Sequence, residues 1–429
     1  MEKKIIRTPR GTELRATARL TGRYIMKFER GAHGKVSAAL NDVGIPGARE
    51  KPFRAKVARA MPHGRHLVLP KLGFAIVDPH SAAEDALLRL AAKQDEIHAL
   101  VPEGLVRLAS GSADYVRGWR DATDAIAAKL LSQPEVFRIA GASFSTGPDF
   151  TAALAITGVS ASQLSGAGVK IAILDTGLDC NHPDFRGRDI TCENLVGDGM
   201  ACRDANGHGT HCAGIAAGPR SPVQGPRYGI AYESSLYAAR VLNDDGGIGS
   251  DGSITQGIHR AVGLGCAVIS MSLESIWQDG QDPTQSLYEE LIHDATAAGS
   301  LVVVAAGNHH TAVGAPGNSP SALTVGAIDQ ALQTASFSNR ATATASGVKG
   351  PDVAAPGVGI HSSWLTGAGS YKSLDGTSQA TAFVAGIAAL LAQSDSTLRG
   401  QKLKDAVIAK CRPLQDPVGE VGNGLVQAP

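Results

Sequence analysis

The chain has 429 residues, more than one ordinary core accommodates, and at about 150 residues per domain this points to two or three units. Lys plus Arg and Asp plus Glu both number 40, so nothing in the formal charge recommends nucleic acid or an anionic membrane as partner, and both are set aside. An apolar share of 43%, 51 glycines and only 4% aromatics fit a glycine-rich α/β enzyme with many tight turns.

The opening stretch MEKKIIRTPRGTELRATARL is basic but has no apolar run of signal-peptide length, and no later run is long enough to span a bilayer. This predicts no Sec export and, by default, a cytoplasmic protein, with non-Sec routes left open. RYIMKF (23–28) and LGFAIVD (72–78) read as strands, and SAAEDALLRLAAKQ (81–94) reads as an amphipathic helix opened by a Ser cap. Residues 1–110 therefore predict a small α+β module. A second helical pattern at 113–131, followed by a stretch rich in Gly, Ser, Ala and Thr, makes 111–160 a connector.

The texture changes in the remaining part, 161–429. Runs apolar on both faces, VKIAIL (169–174), AVISMSL (267–273) and LVVVAA (301–306), alternate with helical patterns at 208–217, 252–264, 285–298 and 378–392. Buried strands alternating with helices predict a doubly wound α/β domain with a mostly parallel sheet. In such sheets ligands collect at the carboxyl ends of the strands.

Three polar residues lie beside such apolar runs or helix starts. Asp175 ends a strand in AILDTGLD, His208 opens a small-residue helix in NGHGTHCAG, and Ser378 stands at a helix N-terminus in DGTSQATAFVAGIAALL. A serine hydroxyl needs an imidazole to take its proton, and the imidazole needs a carboxylate to fix its tautomer and stabilise its cation. Asn308, in AAGN at a strand end, supplies a side-chain amide that, with the Ser378 backbone N–H, would hold a developing oxyanion. The four together predict a serine endopeptidase working through an acyl-enzyme.

These motifs resemble the subtilases over roughly 166–427, and the intervening HPDF (182–185), RYGIA (227–231), ISMSL (269–273), ASFSN (335–339), AAPG (354–357) and GNGLV (422–426) add to the likeness. The resemblance implies a subtilisin-like fold. It also implies a substrate strand at Ser272, Leu273 and Glu274, with Ala306 and Gly307 on the facing wall. Protein or peptide substrates would bind there as an added strand. The N-terminal module more faintly resembles the subtilase propeptide, which implies a self-processed zymogen in which that module is an internal partner, with self-cleavage somewhere in 109–160.

Four positions depart from the subtilase pattern. Glu274 stands where subtilases usually have Gly, and either favours basic substrate side chains or points to solvent. Gln379 replaces the usual Met, which predicts tolerance to peroxide. Ala382 and Phe383 replace Pro-His, which suggests a looser start to the nucleophile helix and leaves some acyl transfer to amines open. Subtilases commonly bind calcium through the position held here by Asp184, but the loop 218–229 offers only Gln224 as a further side-chain ligand, so no cofactor is expected to be required.

Other residues carry bland readings. Without an export signal the six cysteines are expected as thiols, although Cys192 and Cys202 are close enough to pair under oxidising conditions. Cys212 reads as a buried inert thiol, His211 as a packed side chain, His309 and His310 as surface residues, and Asp244 and Asp245 as a solvated turn. A silent peptide-binding module and a peptide ligase remain the alternatives to a protease.

Overall fold

The computed structural model describes residues 4–5, 21–48, 64–109, 149–198, 201–275, 285–341, 349–368 and 370–429. The N-terminal unit comprises β1 (Lys4–Ile5), β2 (Tyr24–Phe28), α1 (His33–Asp42), β3 (His66–Leu69), β4 (Phe74–Val77), α2 (Ser81–Lys93), β5 (Ile97–Pro102) and β6 (Leu105–Leu108). Five of its strands form a sheet in the order β1-β5-β2-β4-β3. Side chains alternate across a strand, and β2 uses both faces. Tyr24, Met26 and Phe28 pack on Val36 and Leu40 of α1 and Leu87 and Ala91 of α2. Ile25, with Phe74 and Ile76 of β4, points the other way into a core shared with the larger unit.

That larger unit runs through α3 (Ala152–Ile156), β7 (Lys170–Asp175), β8 (Ile190–Asn194), α4 (His208–Ala217), β9 (Ser235–Arg240), β10 (Ile248–Ser250) and α5 (Asp251–Gly263). It continues with β11 (Val268–Met271), β12 (Leu273–Ser275), α6 (Gln285–Ala297), β13 (Leu301–Ala305), β14 (Leu323–Ile328), β15 (Val353–Pro356), β16 (Ile360–Ser363), β17 (Tyr371–Leu374), α7 (Thr377–Ser394), α8 (Gly400–Ala409) and α9 (Val418–Val421). Seven strands make a parallel sheet in the order β15-β14-β13-β11-β7-β9-β8. Residues of α4 and α7 share one core cluster with the sheet, and residues of α5 and α6 share the other, so both faces are covered. The predicted helices of this region match α4 to α7 to within two residues at each end.

Two expectations change. The run 267–273 is not one strand: β11 stays in the parallel sheet, while β12 leaves it after Ser272 to pair with β6 of the N-terminal unit. Helix α7 is not loosened at Ala382 and Phe383. Every residue from Thr377 to Ala392 is buried, and the small side chains let this helix pass close beneath the sheet.

The N-terminal sheet is fixed to α5 and α6 by charge as well as by apolar contact. Glu103, fully buried, accepts from Gly252 N at 2.8 Å in the first turn of α5, where the helix dipole favours a carboxylate, and Arg23 pairs with it. Asp251 accepts from Gly104 N at 2.6 Å, and Lys27 and Arg30 both pair with Asp294 on α6. The default reading of six thiols is also corrected. Cys192 and Cys202 form a disulfide with Cα atoms 5.6 Å apart, because the chain after β8 folds back beside it, while Cys180, Cys212, Cys266 and Cys411 are free. Among the described residues no helix is long and apolar enough to cross a membrane. The predicted helix at 113–131 lies outside the described residues.

Candidate active site

Asp175 is the last residue of β7, His208 the first of α4, Ser378 the second of α7, and Asn308 follows β13, so all four gather at the carboxyl edge of the sheet. His208 Nδ1 donates to Asp175 Oδ1 at 2.8 Å, and Thr176 N donates to the same oxygen at 2.8 Å. Asp204 locks the turn after β7 to the start of α4. It accepts from Thr176 Oγ1 at 3.0 Å, Gly207 N at 2.7 Å and Thr210 N at 2.8 Å. Gly209 has to be glycine, since a Cβ there would lie 2.3 Å from the Gly177 carbonyl oxygen.

Burial opposes a charged His208, but the Asp175 carboxylate outweighs it and holds the imidazole well above its ordinary value. Burial pushes His211 down to about 3 instead, and this neutral ring donates to the Lys372 carbonyl at 3.0 Å. Cys212 packs against both His208 and Ser378, its sulfur 3.8 Å from His208 Nδ1 and 3.9 Å from the Ser378 carbonyl oxygen. Burial raises its thiol above the usual range, so it stays protonated beside the Asp175–His208 pair.

The cleft beside these residues holds a segment of the same chain. Strand β6 is inserted antiparallel between β10 and β12, with Arg107 opposite Ile248 on one side and Glu274 on the other. Leu108 N donates to the Gly247 carbonyl at 3.0 Å, and Ala109 N donates to the Ser272 carbonyl at 3.2 Å. The Ala109 carbonyl oxygen then accepts from Asn308 Nδ2 and from Ser378 Oγ, the latter at 3.2 Å. Among the described residues the Ser378 hydroxyl is bonded to this carbonyl and not to His208.

The model of the subtilase family matches residues 166–424. Thermitase of Thermoactinomyces vulgaris is 40% identical over 228 residues, which cover 53% of this chain and 76% of the thermitase. Subtilisin BL of Lederbergia lenta is 36% identical over 266 residues, covering 62% of this chain and 91% of the relative. A crystal structure of a cold adapted subtilisin-like serine proteinase superposes with a TM-score of 0.53 at 30% identity, over 62% of this chain and 91% of that one.

The chain belongs to the subtilase family. It is a serine endopeptidase with the subtilisin-like α/β fold, and the structure places the other sequence-predicted residues around its cleft as follows. Ser272 meets the bound strand through its carbonyl only, since its hydroxyl turns inward to donate to the Ser378 carbonyl at 3.1 Å. Leu273 is fully buried in the same apolar cluster as Val106 of the bound strand. Ala306 N is engaged with the Val325 carbonyl of β14. Gly307, at φ 103°, faces Glu274, and a Cβ on it would lie 2.9 Å from Glu274 Oε2. Glu274 does not point to solvent but bonds Arg107 Nε at 2.9 Å and His309 Nε2 at 2.5 Å.

Three positioning residues were not singled out from the sequence. Asp204 is one. Thr377 is the second: its N and Oγ1 both donate to Asn308 Oδ1 at 2.9 Å, which turns the Asn308 amide nitrogen toward the Ala109 oxygen. Asn339 is the third, accepting from His309 N at 2.9 Å and Thr311 N at 3.1 Å to hold the loop after Asn308. A signal existed for the first two, a short polar side chain within a few residues of His208 and next to Ser378. With Thr377 in place, Asn308→Ala is expected to lower kcat about 10²- to 10³-fold with little change in KM, the range known from subtilisin itself. A loss below tenfold in steady-state assays would contradict an oxyanion role.

The surroundings of Asp184 do not fit calcium. Its carboxylate accepts from Val223 N at 2.9 Å, Tyr228 OH at 2.5 Å and Tyr371 OH at 3.1 Å. All three partners direct an N–H or O–H at this carboxylate, where calcium demands oxygen acceptors. Burial, with the Asp184 charge, pushes the Tyr228 hydroxyl far above its ordinary value and that of Tyr371 up to about 12. Gln379 is buried beside Ser378. Replacing it with Met introduces an oxidisable thioether there, so Gln379→Met is expected to lose activity in peroxide faster than the parent. Equal inactivation rates would refute this.

Proposed function

We propose that Asp175, His208, Ser378 and Asn308 form the catalytic machinery and that the chain is a zymogen whose N-terminal unit occupies its own cleft up to the bond between Ala109 and Ser110. One observation carries this reading: the Ala109 carbonyl receives hydrogen bonds from both the Asn308 amide and the Ser378 hydroxyl, while β6 is paired on both edges.

In this reading Ser378 Oγ attacks the Ala109 carbonyl carbon as His208 takes its proton, and Asp175 holds the imidazole in the required tautomer and supports its cation. The oxyanion that forms stays on the Asn308 amide and the Ser378 N–H, one of the unpaired donors in the first turn of α7. His208 then protonates the departing Ser110 amine, and water delivered with help from the same imidazole releases the acyl group. Residues 105–109 remain as a product strand, anchored through Glu103 and Asp251. Protein and peptide substrates follow the same path once the N-terminal unit leaves. The Cys192–Cys202 bridge favours an oxidising setting.

A fluorophosphonate probe tests the assignment. The processed protein, freed of its N-terminal unit, is expected to be labelled and Ser378→Ala is not. Folded, processed protein that resists the probe would favour a silent peptide-binding module.

A further inference from the structure

Resting on the proposed reading of 105–109 as a strand bound in substrate position, we infer that Glu274, held by His309, is a specificity determinant that selects a basic side chain at the third residue before the scissile bond. Arg107 occupies that place. Its Nε donates to Glu274 Oε1 at 2.9 Å. His309 Nε2 in turn donates to Glu274 Oε1 at 2.5 Å, and Asn339 fixes the His309 backbone. His309 thus holds the carboxylate through a contact that does not involve the bound strand, which reduces the ordering cost of binding. The Glu274 side chain is 11% exposed and that of Arg107 36%, so water screens the pair only partly.

Residues two apart in an extended strand project to the same face, so Arg107 and Ala109 both face the side on which Glu274 lies beside Gly307. Ala109 carries only a methyl group on that face. Substrates with a small residue at the scissile bond and Arg or Lys two positions earlier combine both requirements.

The test uses the processed enzyme and three chromogenic tetrapeptides built on the native segment, Val-Xaa-Leu-Ala with Xaa as Arg, Gln or Glu. A partly exposed charge-assisted contact is worth about fivefold, and repulsion of like charge costs about as much, so kcat/KM is expected to fall in the order Arg, Gln, Glu, with about twentyfold between the ends. The spread should shrink as salt is raised. In Glu274→Gln the three values are expected to fall within about twofold of each other, and Glu274→Gly serves as a second variant. Equal hydrolysis of all three peptides by the parent enzyme, or an Arg preference kept in both variants, overturns the inference while leaving the protease reading intact. Failure to cleave any of the three, together with failure to take up the fluorophosphonate, overturns both.

Discussion

Ser378→Ala is expected to reduce kcat about 10⁶-fold, the scale found when the nucleophile of subtilisin itself is removed, which corresponds to about 8 kcal/mol of barrier. The methyl group cannot form the acyl bond, while Asn308, Thr377 and the cleft between β10 and β12 stay as they are. Once the variant has been cut behind Ala109 by added parent enzyme and its N-terminal unit removed, KM for a peptide should change little. The side chain lost is small and its hydroxyl bonds only the Ala109 carbonyl among the described residues, so the fold should be retained. Steady-state kinetics on the variant, purified apart from parent enzyme, measure the loss. A drop under about a thousandfold would mean that Ser378 is not the nucleophile.

Asp175→Asn is expected to cost about 10⁴-fold in kcat. Asp175 Oδ1 accepts from both His208 Nδ1 and Thr176 N, which fixes the carboxylate and so the proton on Nδ1. An amide that turns its NH₂ toward Nδ1 moves the imidazole proton to Nε2, and the ring then cannot accept the serine proton. The substitution also removes the charge that raises His208. A base acts only when neutral, so activity is lost as pH falls through the His208 value. In the parent the acid limb of the pH profile should lie above the ordinary 6.5 of an imidazole, and in Asp175→Asn the residual activity should have its limb displaced to lower pH. An unshifted limb would show that Asp175 does not set the charge state of His208.

Much of the catalytic half was legible in the sequence because local pattern and tertiary position agree there. Strand β7 is apolar on both faces until Asp175, and α4 and α7 are written in residues small enough to pack only in a tight interior, so the functional residues mark the boundaries of their own elements. The cleft content was not legible. Leu105–Leu108 has the composition of any short strand, and its partners β10 and β12 lie far along the chain, so nothing local says that it closes a sheet in the active site. Glu103 is equally opaque, since its role as acceptor at the start of α5 needs the docked units. Asp184 was read through a family pattern, but the fate of its carboxylate is decided by Tyr228 and Tyr371, which are distant in sequence. Cys192 and Cys202 were separated by a plausible distance, yet only the return of the chain beside β8 brings their sulfurs together. For Glu274 the sequence left two directions open, and the position of His309 and Arg107 selects one of them.

The most direct measurement is the intact mass of the full chain after incubation, for the parent and for Ser378→Ala side by side. The parent is expected to yield two fragments, one ending at Ala109 and one beginning at Ser110, while Ser378→Ala stays whole. A parent chain that remains intact or is cut elsewhere, or a Ser378→Ala chain cut at the same bond, would contradict the assignment of Ser378 and its neighbours to the bond that the cleft now holds.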